Sequence, residues 1–194
     1  MVYGITGGMG AGKTAVTSIL KEHGFVVLDA DEISREVEAK DSPLLRILVK
    51  EFGIDIIAED GELDRRKLAD IAFADKEKTN RLNDLVQTAV VVNASMKIRD
   101  LENVSDKVIF FDVPMLFEAG WNKYCGQVWV VTAPEETRIE RVAARDGLTF
   151  EQIRARMRLQ MSDEEKIARA DVVINNSGNY DELRAQVENL IKNL

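Results

Sequence analysis

Gly7-Gly8-Met9-Gly10-Ala11-Gly12-Lys13-Thr14 decides how this chain is read. Its spacing, G-x-x-x-x-G-K-[ST], is that of a phosphate-binding loop, and its surroundings suit one. Upstream, Val2-Tyr3-Gly4-Ile5-Thr6 is short, apolar and β-prone; downstream, residues 15–21 form a helix-favouring run with Val16, Ile19 and Leu20 on one face. The three pieces read as strand, glycine turn and helix. Glycines let the turn curl so that successive N–H groups point inward at phosphate oxygens, and the helix N-terminus behind them adds its dipole. Gly8, Gly10, Ala11, Gly12, Lys13, Thr14 and Ala15 are therefore the expected cradle of a nucleoside triphosphate, with Lys13 on the β/γ-phosphates and Thr14 on Mg²⁺.

Strand-like runs recur at 2–6, 25–29, 107–112, 127–132 and 171–175, with helix-forming sequence between them. Such alternation predicts an α/β fold with a largely parallel sheet. The first helix should stop at His23-Gly24, where glycine takes the left-handed position, and His23, the only histidine, is read as a helix-end residue. About 75 residues separate the second and third strands, far more than a crossover needs, so this segment should form a helical subdomain. Leu82, Leu85, Val86, Ala89, Val92 and Met96 mark the packing face of its long helix, and Asp64 is placed to cap the helix carrying Leu68, Ile71 and Ala72.

With 194 residues, 45% of them hydrophobic, the chain is long enough for one buried core with a smaller satellite. It opens into a strand without a basic leader and its apolar runs are too short to span a bilayer, so a soluble, cytoplasmic protein is expected. Cys125 is the one cysteine; it has no partner for a disulfide or a zinc site and is read as packing. A formal charge of −8 argues against nucleic acid or an anionic membrane as partner. Positive charge is local instead. Arg138, Arg141, Arg145, Arg154, Arg156 and Arg158 outnumber Glu140, Asp146 and Glu151 between them, a stretch that would draw a small polyanion.

Further carboxylates stand where open α/β folds place their ligands, beyond the carboxyl ends of the strands. In Asp29-Ala30-Asp31 the first acid is closer to the sheet and suits the metal side, while Asp31 projects further and suits a base that accepts a hydroxyl proton. Capping of the following helix is the plainer use of either. Val108-Ile109-Phe110-Phe111-Asp112 ends an apolar run in an acid, as a strand holding Mg²⁺ through Asp112 would, or as a simple strand-end turn would. Arg138, Arg141 and Arg145 share one helix face, and a guanidinium closing over transferring phosphate stabilises transition-state charge. Asn122-Lys123-Tyr124-Cys125 lacks the aspartate of a guanine-reading N-K-x-D motif and precedes its strand, which disfavours a GTPase switch.

Taken together, the segments 5–14, 28–31 (L-D-A-D), Leu63-Asp64-Arg65-Arg66-Lys67-Leu68 with Phe73, and Val113-Pro114-Met115-Leu116-Phe117-Glu118 resemble the dephospho-CoA kinase family. Residues 141–148, Arg156 with Gln160 and Lys166, and 170–178 (A-D-V-V-I-N-N-S-G) extend the likeness over essentially the whole chain. The resemblance implies a P-loop NTPase core with a five-stranded, mainly parallel sheet flanked by helices, formed by 1–32 and 105–194. It also implies a helical acceptor domain at 33–104 and an arginine-bearing helical lid at about 138–165. ATP would phosphorylate the ribose 3′-hydroxyl of dephospho-CoA, with Mg²⁺ as cofactor and these two small molecules as the partners. By position, Asp31 matches the family's base, Lys13, Arg141 and Arg156 its phosphate-contacting cations, and Asn176 and Gly178 the segment beside adenine. Arg65, Pro114, Leu116, Phe117 and Glu118 match the acceptor side. One departure stands out: Gln87-Thr88 follows Leu85-Val86 where the family commonly carries His-Pro, and Gln87 cannot become a cation. Rival readings are a nucleoside or nucleotide kinase on the same core, and a regulatory nucleotide-binding module, against which the Asp29/Asp31 pair speaks.

Overall fold

A computed structural model describes residues 1–103, 108–192 and 194. Its sheet has five strands, β1 (Val2–Gly7), β2 (Val26–Asp29), β3 (Ile109–Asp112), β4 (Gln127–Thr132) and β5 (Val172–Asn175), in the order β2-β3-β1-β4-β5. All four pairings are parallel. The expected third strand began at residue 107, which lies outside the described residues. Where the other strands were expected, strands are found, shifted by no more than a residue at either end.

Parallel strands need crossovers, and helices α1 (Lys13–Glu22) and α9 (Tyr180–Ile191) lie side by side over one face of the sheet. Val16, Ile19 and Leu20 of α1 and Leu183 and Val187 of α9 are buried there against Tyr3, Ile5, Phe110, Trp129, Val131 and Ile174. Each fully buried Leu or Ile of this kind contributes about 1.5–3 kcal/mol. Tyr3, Phe110 and Trp129 meet at ring-centroid distances of 5.0 to 6.0 Å, mostly edge to face, the arrangement that aromatic quadrupoles favour. Helix α1 ends as its sequence predicts: His23 caps it, its Nδ1 lies 2.9 Å from the Ile19 carbonyl, and Gly24 takes φ +77°.

The chain divides into two compact units, Met1–Asp29 with Glu102–Leu194, and Ala30–Leu101. The expected boundary at 104/105 lies outside the described residues. In the second unit, α2 (Ala30–Val37), α3 (Pro43–Phe52), α4 (Arg65–Ala72) and most of α5 (Lys76–Glu102) enclose a core of Leu44, Leu45, Leu48, Phe52, Ile56, Leu63, Leu68, Ala72 and Leu82. Ser42 caps α3 through the Leu45 N–H, and Asp64 caps α4 through those of Arg66 and Lys67. The predicted packing face of α5 holds only in part. Leu82, Leu85, Val86 and Ala89 pack on this core, whereas Val92 and Met96 are exposed and Val90 and Ala94 are buried instead. No proline stands at position 88, and the helix runs unbroken through Gln87 and Thr88, both of which are exposed.

The first unit carries α6 (Glu135–Asp146), α7 (Phe150–Met157) and α8 (Asp163–Ala168) between β4 and β5. Ile139 and Val142 of α6 and Ile153 of α7 form a small core of their own, with Met9 of the glycine-rich loop packed against it. No described helix is long and apolar enough to cross a membrane.

Candidate active site

The glycine-rich loop leaves the carboxyl end of the central strand, since Gly7 closes β1 and Lys13 opens α1. Gly10 has φ +79° and Gly12 φ +94°, values that side-chain-bearing residues avoid. A Cβ on Gly10 would stand 2.6 Å from the Arg138 carbonyl oxygen, and one on Gly12 would overlap the Asn176 amide. Side chains from the far half of the chain brace this tight loop. The Met9 N–H donates to Gln160 Oε1 at 3.0 Å, and Asn176 Nδ2 donates to the Ala11 carbonyl at 2.8 Å. Arg141 in turn donates to the Asn176 carbonyl at 3.0 Å, and its other terminal nitrogen lies 3.8 Å from where a Cβ on Gly12 would stand.

Lys13 reaches back from the first turn of α1, its Nζ 2.6 Å from Asp112 Oδ1 at the end of β3. Strand register sets Asp112 directly beside Asp29, the last residue of β2, and beside Ile5 of β1. Asp112 therefore faces the phosphate loop, as the strand-end reading alone did not require. Thr14 is exposed in the same helical turn. The cation expected here would meet one hydroxyl and two strand-end carboxylates, a donor set suited to an ion shared with phosphate oxygens and water. Asp31 lies in the first turn of α2 and is exposed.

The six arginines divide by environment, Arg158 being exposed just past α7. Arg138 is buried, pairs with Asp163 at 2.7 Å and packs against Gly8, so it braces the loop instead of offering a free guanidinium. Burial pushes the Asp163 carboxyl above its ordinary value, and the pull of Arg138 and Lys166 only moderates this. Arg145 pairs with Asp146 and Arg154 with Glu135, both at the surface. Arg156 is exposed on α7, in the field of Asp146. Of the two arginines singled out from the sequence, the structure brings Arg141 to the loop and leaves Arg156 in solvent.

The segment after β3 folds inward. The Thr6 hydroxyl donates to the Pro114 carbonyl at 3.1 Å, and Leu116 and Phe117 are buried. Glu118 Oε1 accepts from the Met161 N–H at 2.9 Å and stands 3.0 Å from Lys166 Nζ. Burial pushes the Glu118 carboxyl up, but the Met161 N–H and the Lys166 ammonium outweigh it and hold the carboxyl below its ordinary value. In the second unit, Arg65 is exposed at the start of α4 and pairs with Glu38 at 3.0 Å. Gly178 is exposed between β5 and α9. Residues 121–124 form a short 3₁₀ turn ahead of β4, so the N-K-Y-C stretch does sit before its strand. Burial lifts the Cys125 thiol to about 11, as a packing cysteine requires.

Gln160 and Lys166 entered the sequence reading only through the family likeness, and Asp163 not at all; the structure gives Gln160 a bond to the loop, Asp163 the Arg138 that packs on that loop, and Lys166 the Glu118 carboxylate. Gln160 lies 151 positions from the residue it holds. The only local mark was the S-x-x-E box of Ser162 and Glu165, which places the start of α8 without saying what the helix touches.

An all-parallel sheet with a phosphate loop after its central strand, and a carboxylate from the neighbouring strand on the loop lysine, defines a P-loop nucleotide-binding protein of the small-kinase class. Shikimate kinase from Aquifex aeolicus shares this fold, with a TM-score of 0.52 at 15% identity. Within the class, residues 1–182 match the family described as dephospho-CoA kinase. The dephospho-CoA kinase of Carboxydothermus hydrogenoformans is 38% identical over 98% of this chain and 93% of its own length, and that of Fusobacterium nucleatum 39% over 97% and 95%. The solved dephospho-CoA kinase of Campylobacter jejuni superposes with a TM-score of 0.72 at 27% identity, covering 98% of this chain and 95% of its own. A Thermus thermophilus protein of known structure reaches 0.82 at 34% identity, covering 100% and 97%. The chain belongs to the dephospho-CoA kinase family.

Proposed function

We propose that this chain transfers the γ-phosphoryl group of ATP to the ribose 3′-hydroxyl of dephospho-CoA, giving CoA and ADP, the last step of coenzyme A synthesis in the cytoplasm. The observation that carries the reading is the phosphate-loop lysine held 2.6 Å from Asp112, with Asp29 beside it in register at the carboxyl edge of the sheet. Catalysis is then a matter of positioning and electrostatics, because phosphoryl transfer asks for little covalent help. Gly8, Gly10, Ala11, Gly12, Lys13, Thr14 and Ala15 hold the triphosphate, and Asn176 and Gly178 border the adenine. Thr14, Asp29 and Asp112 are the residues that would hold Mg²⁺, which would neutralise phosphate charge when bound. Asp31 accepts the proton of the attacking hydroxyl as its oxygen bonds to the γ-phosphorus and the bond to the bridging β–γ oxygen breaks.

Arg141 and Arg156 cover the transferring group, with 138–165 acting as a lid; Arg141 already lies at the loop, and Arg156 would arrive on closure. The helical unit and the residues Arg65, Pro114, Leu116, Phe117 and Glu118 serve the acceptor side. Burial of Leu116 and Phe117 favours support of that side over direct contact with it.

The test is ADP release from Mg-ATP with dephospho-CoA, adenosine, AMP or cytidine as acceptor. Stimulation by dephospho-CoA alone, with CoA as product, is expected; stimulation by a nucleoside or nucleotide instead would replace the acceptor assignment. Asp31→Asn should abolish turnover and leave ATP binding largely intact. Near-normal turnover in that variant would remove Asp31 as the base.

A further inference from the structure

Lys166 is fully buried in the first unit; its ammonium stands 3.0 Å from the Glu118 carboxylate, and the Asp163 carboxylate feels its charge as well. The second oxygen of the Glu118 carboxylate, Oε2, and the Lys166 Nζ itself are buried with no hydrogen-bond partner among the described residues, so the two residues meet as an ion pair only. An ion pair of this kind is a poor source of stability. Desolvating two charges costs several kcal/mol each, and apolar residues of similar volume often serve as well or better. What the pair does accomplish is geometric. Glu118 Oε1 also takes the Met161 N–H at 2.9 Å, and the adjacent residue, Gln160, takes the Met9 N–H of the phosphate loop at 3.0 Å. One connected path thus runs from Lys166 through Glu118 and residues 160–161 to Met9.

We propose that Glu118 is a positioning residue for the nucleotide: the acceptor oxygen it presents fixes residue 161, so that Gln160 holds the first half of the phosphate loop in its phosphate-binding form, and Lys166 is the buried counter-charge of that carboxylate. The loop needs such a hold. Its positive-φ glycines have the most backbone freedom to lose on ordering, and an N–H that drifts from its inward-facing neighbours spoils the cradle. The Asn176 bond to Ala11 secures the second half of the loop, and Gln160 is the matching contact on the first. The inference rests on the loop binding a triphosphate and is independent of which acceptor is used.

Two charge-free double variants separate positioning from stability. Glu118→Gln with Lys166→Met keeps an acceptor for the Met161 N–H; Glu118→Leu with Lys166→Met does not. Binding of Mg-ATP, followed by calorimetry without any acceptor, should stay within about twofold of wild type in the first and weaken about tenfold in the second, the scale of one lost hydrogen bond. Gln160→Met breaks the path one step further on and should weaken binding by a similar factor. Adding it to the leucine-methionine pair should cost little more, because coupled residues are not additive. If the leucine-methionine variant does not fold, Gln160→Met carries the test alone. Equal affinities in the glutamine and leucine variants, or wild-type affinity in Gln160→Met, would overturn the proposal. A wild-type protein that bound no Mg-ATP would overturn it together with the donor assignment, whereas failure to use dephospho-CoA would touch only the acceptor.

Discussion

Lys13 and Asp112 hold each other in a site from which most water is excluded, their side chains 16% and 11% exposed. Removing the ammonium leaves a carboxylate with its desolvation cost and without this counter-charge. Lys13→Met should therefore destabilise the fold by about 2 kcal/mol, somewhat below the range for a wholly buried pair, and Asp112→Asn added to it should restore most of that loss. Turnover should be lost at least about 10³-fold in both, because the group facing the phosphates is gone in each. Urea unfolding and ADP release measure the two effects separately; a double variant no more stable than the single one would mean that loss of the lysine's counter-charge to Asp112 is not what destabilises. At this scale the sequence was uneven. Lys13 was legible from spacing alone, since the loop motif fixes the lysine's place at a helix N-terminus. Asp112 was not, because an apolar run ending in an acid says nothing of which way the acid points; that depended on its register with Ile5 and Asp29.

Among the elements, the phosphate loop is the most constrained, and the constraint is measurable at Gly12. A side chain there would have to adopt φ +94° and would overlap the amide that ties Asn176 to Ala11. The conformational term alone is about 1–3 kcal/mol. Gly12→Ala should fold with a lowered melting temperature and a displaced loop. Wild-type protein at 100 times the dissociation constant of Mg-ATP should gain about 2.7 kcal/mol of stability, and the variant at the same concentration little or none. Thermal unfolding with and without Mg-ATP checks this, and an undiminished ligand shift in the variant would mean the loop tolerates the side chain. Helix α5 shows where element-level reading ran out. Its periodicity correctly marked Leu82, Leu85, Val86 and Ala89, but 27 residues is longer than one packing surface. Val90 and Ala94 are buried on another side, while Val92 and Met96 remain exposed on the predicted one. A hydrophobic stripe gives the face of a helix, not how far along it the core continues.

For the molecule as a whole, strand number, alternation and the phosphate loop were legible because each is a local pattern. The contacts that shape the loop were not: Gln160 to Met9, Arg138 with Asp163 against Gly8, and Lys166 with Glu118 all join segments that only the folded chain brings together. One such contact should be visible in global stability as a function of pH. Glu118 is held below its ordinary value of 4.5 because the Met161 N–H and Lys166 outweigh the opposing effect of burial. A carboxyl lowered on folding adds stability that is fully present above its unfolded value and is lost as pH falls through the folded one. Lys166→Met removes part of what lowers it, so the ionised carboxylate becomes more costly in the fold while the protonated one is little affected. The difference in melting temperature between wild type and Lys166→Met should therefore be widest above about pH 5 and narrow steadily toward about pH 3. Asp163 works in the opposite sense. Its raised value favours the fold when protonated, and that contribution fades as pH rises through the folded value; Lys166→Met also removes the lysine's pull on it, so ionised Asp163 becomes more costly in the variant and adds to the gap in the same direction. A gap that stayed constant from acid to neutral pH would assign the destabilisation to lost packing around the lysine stem, and the buried charge would then contribute nothing to the stability of the fold.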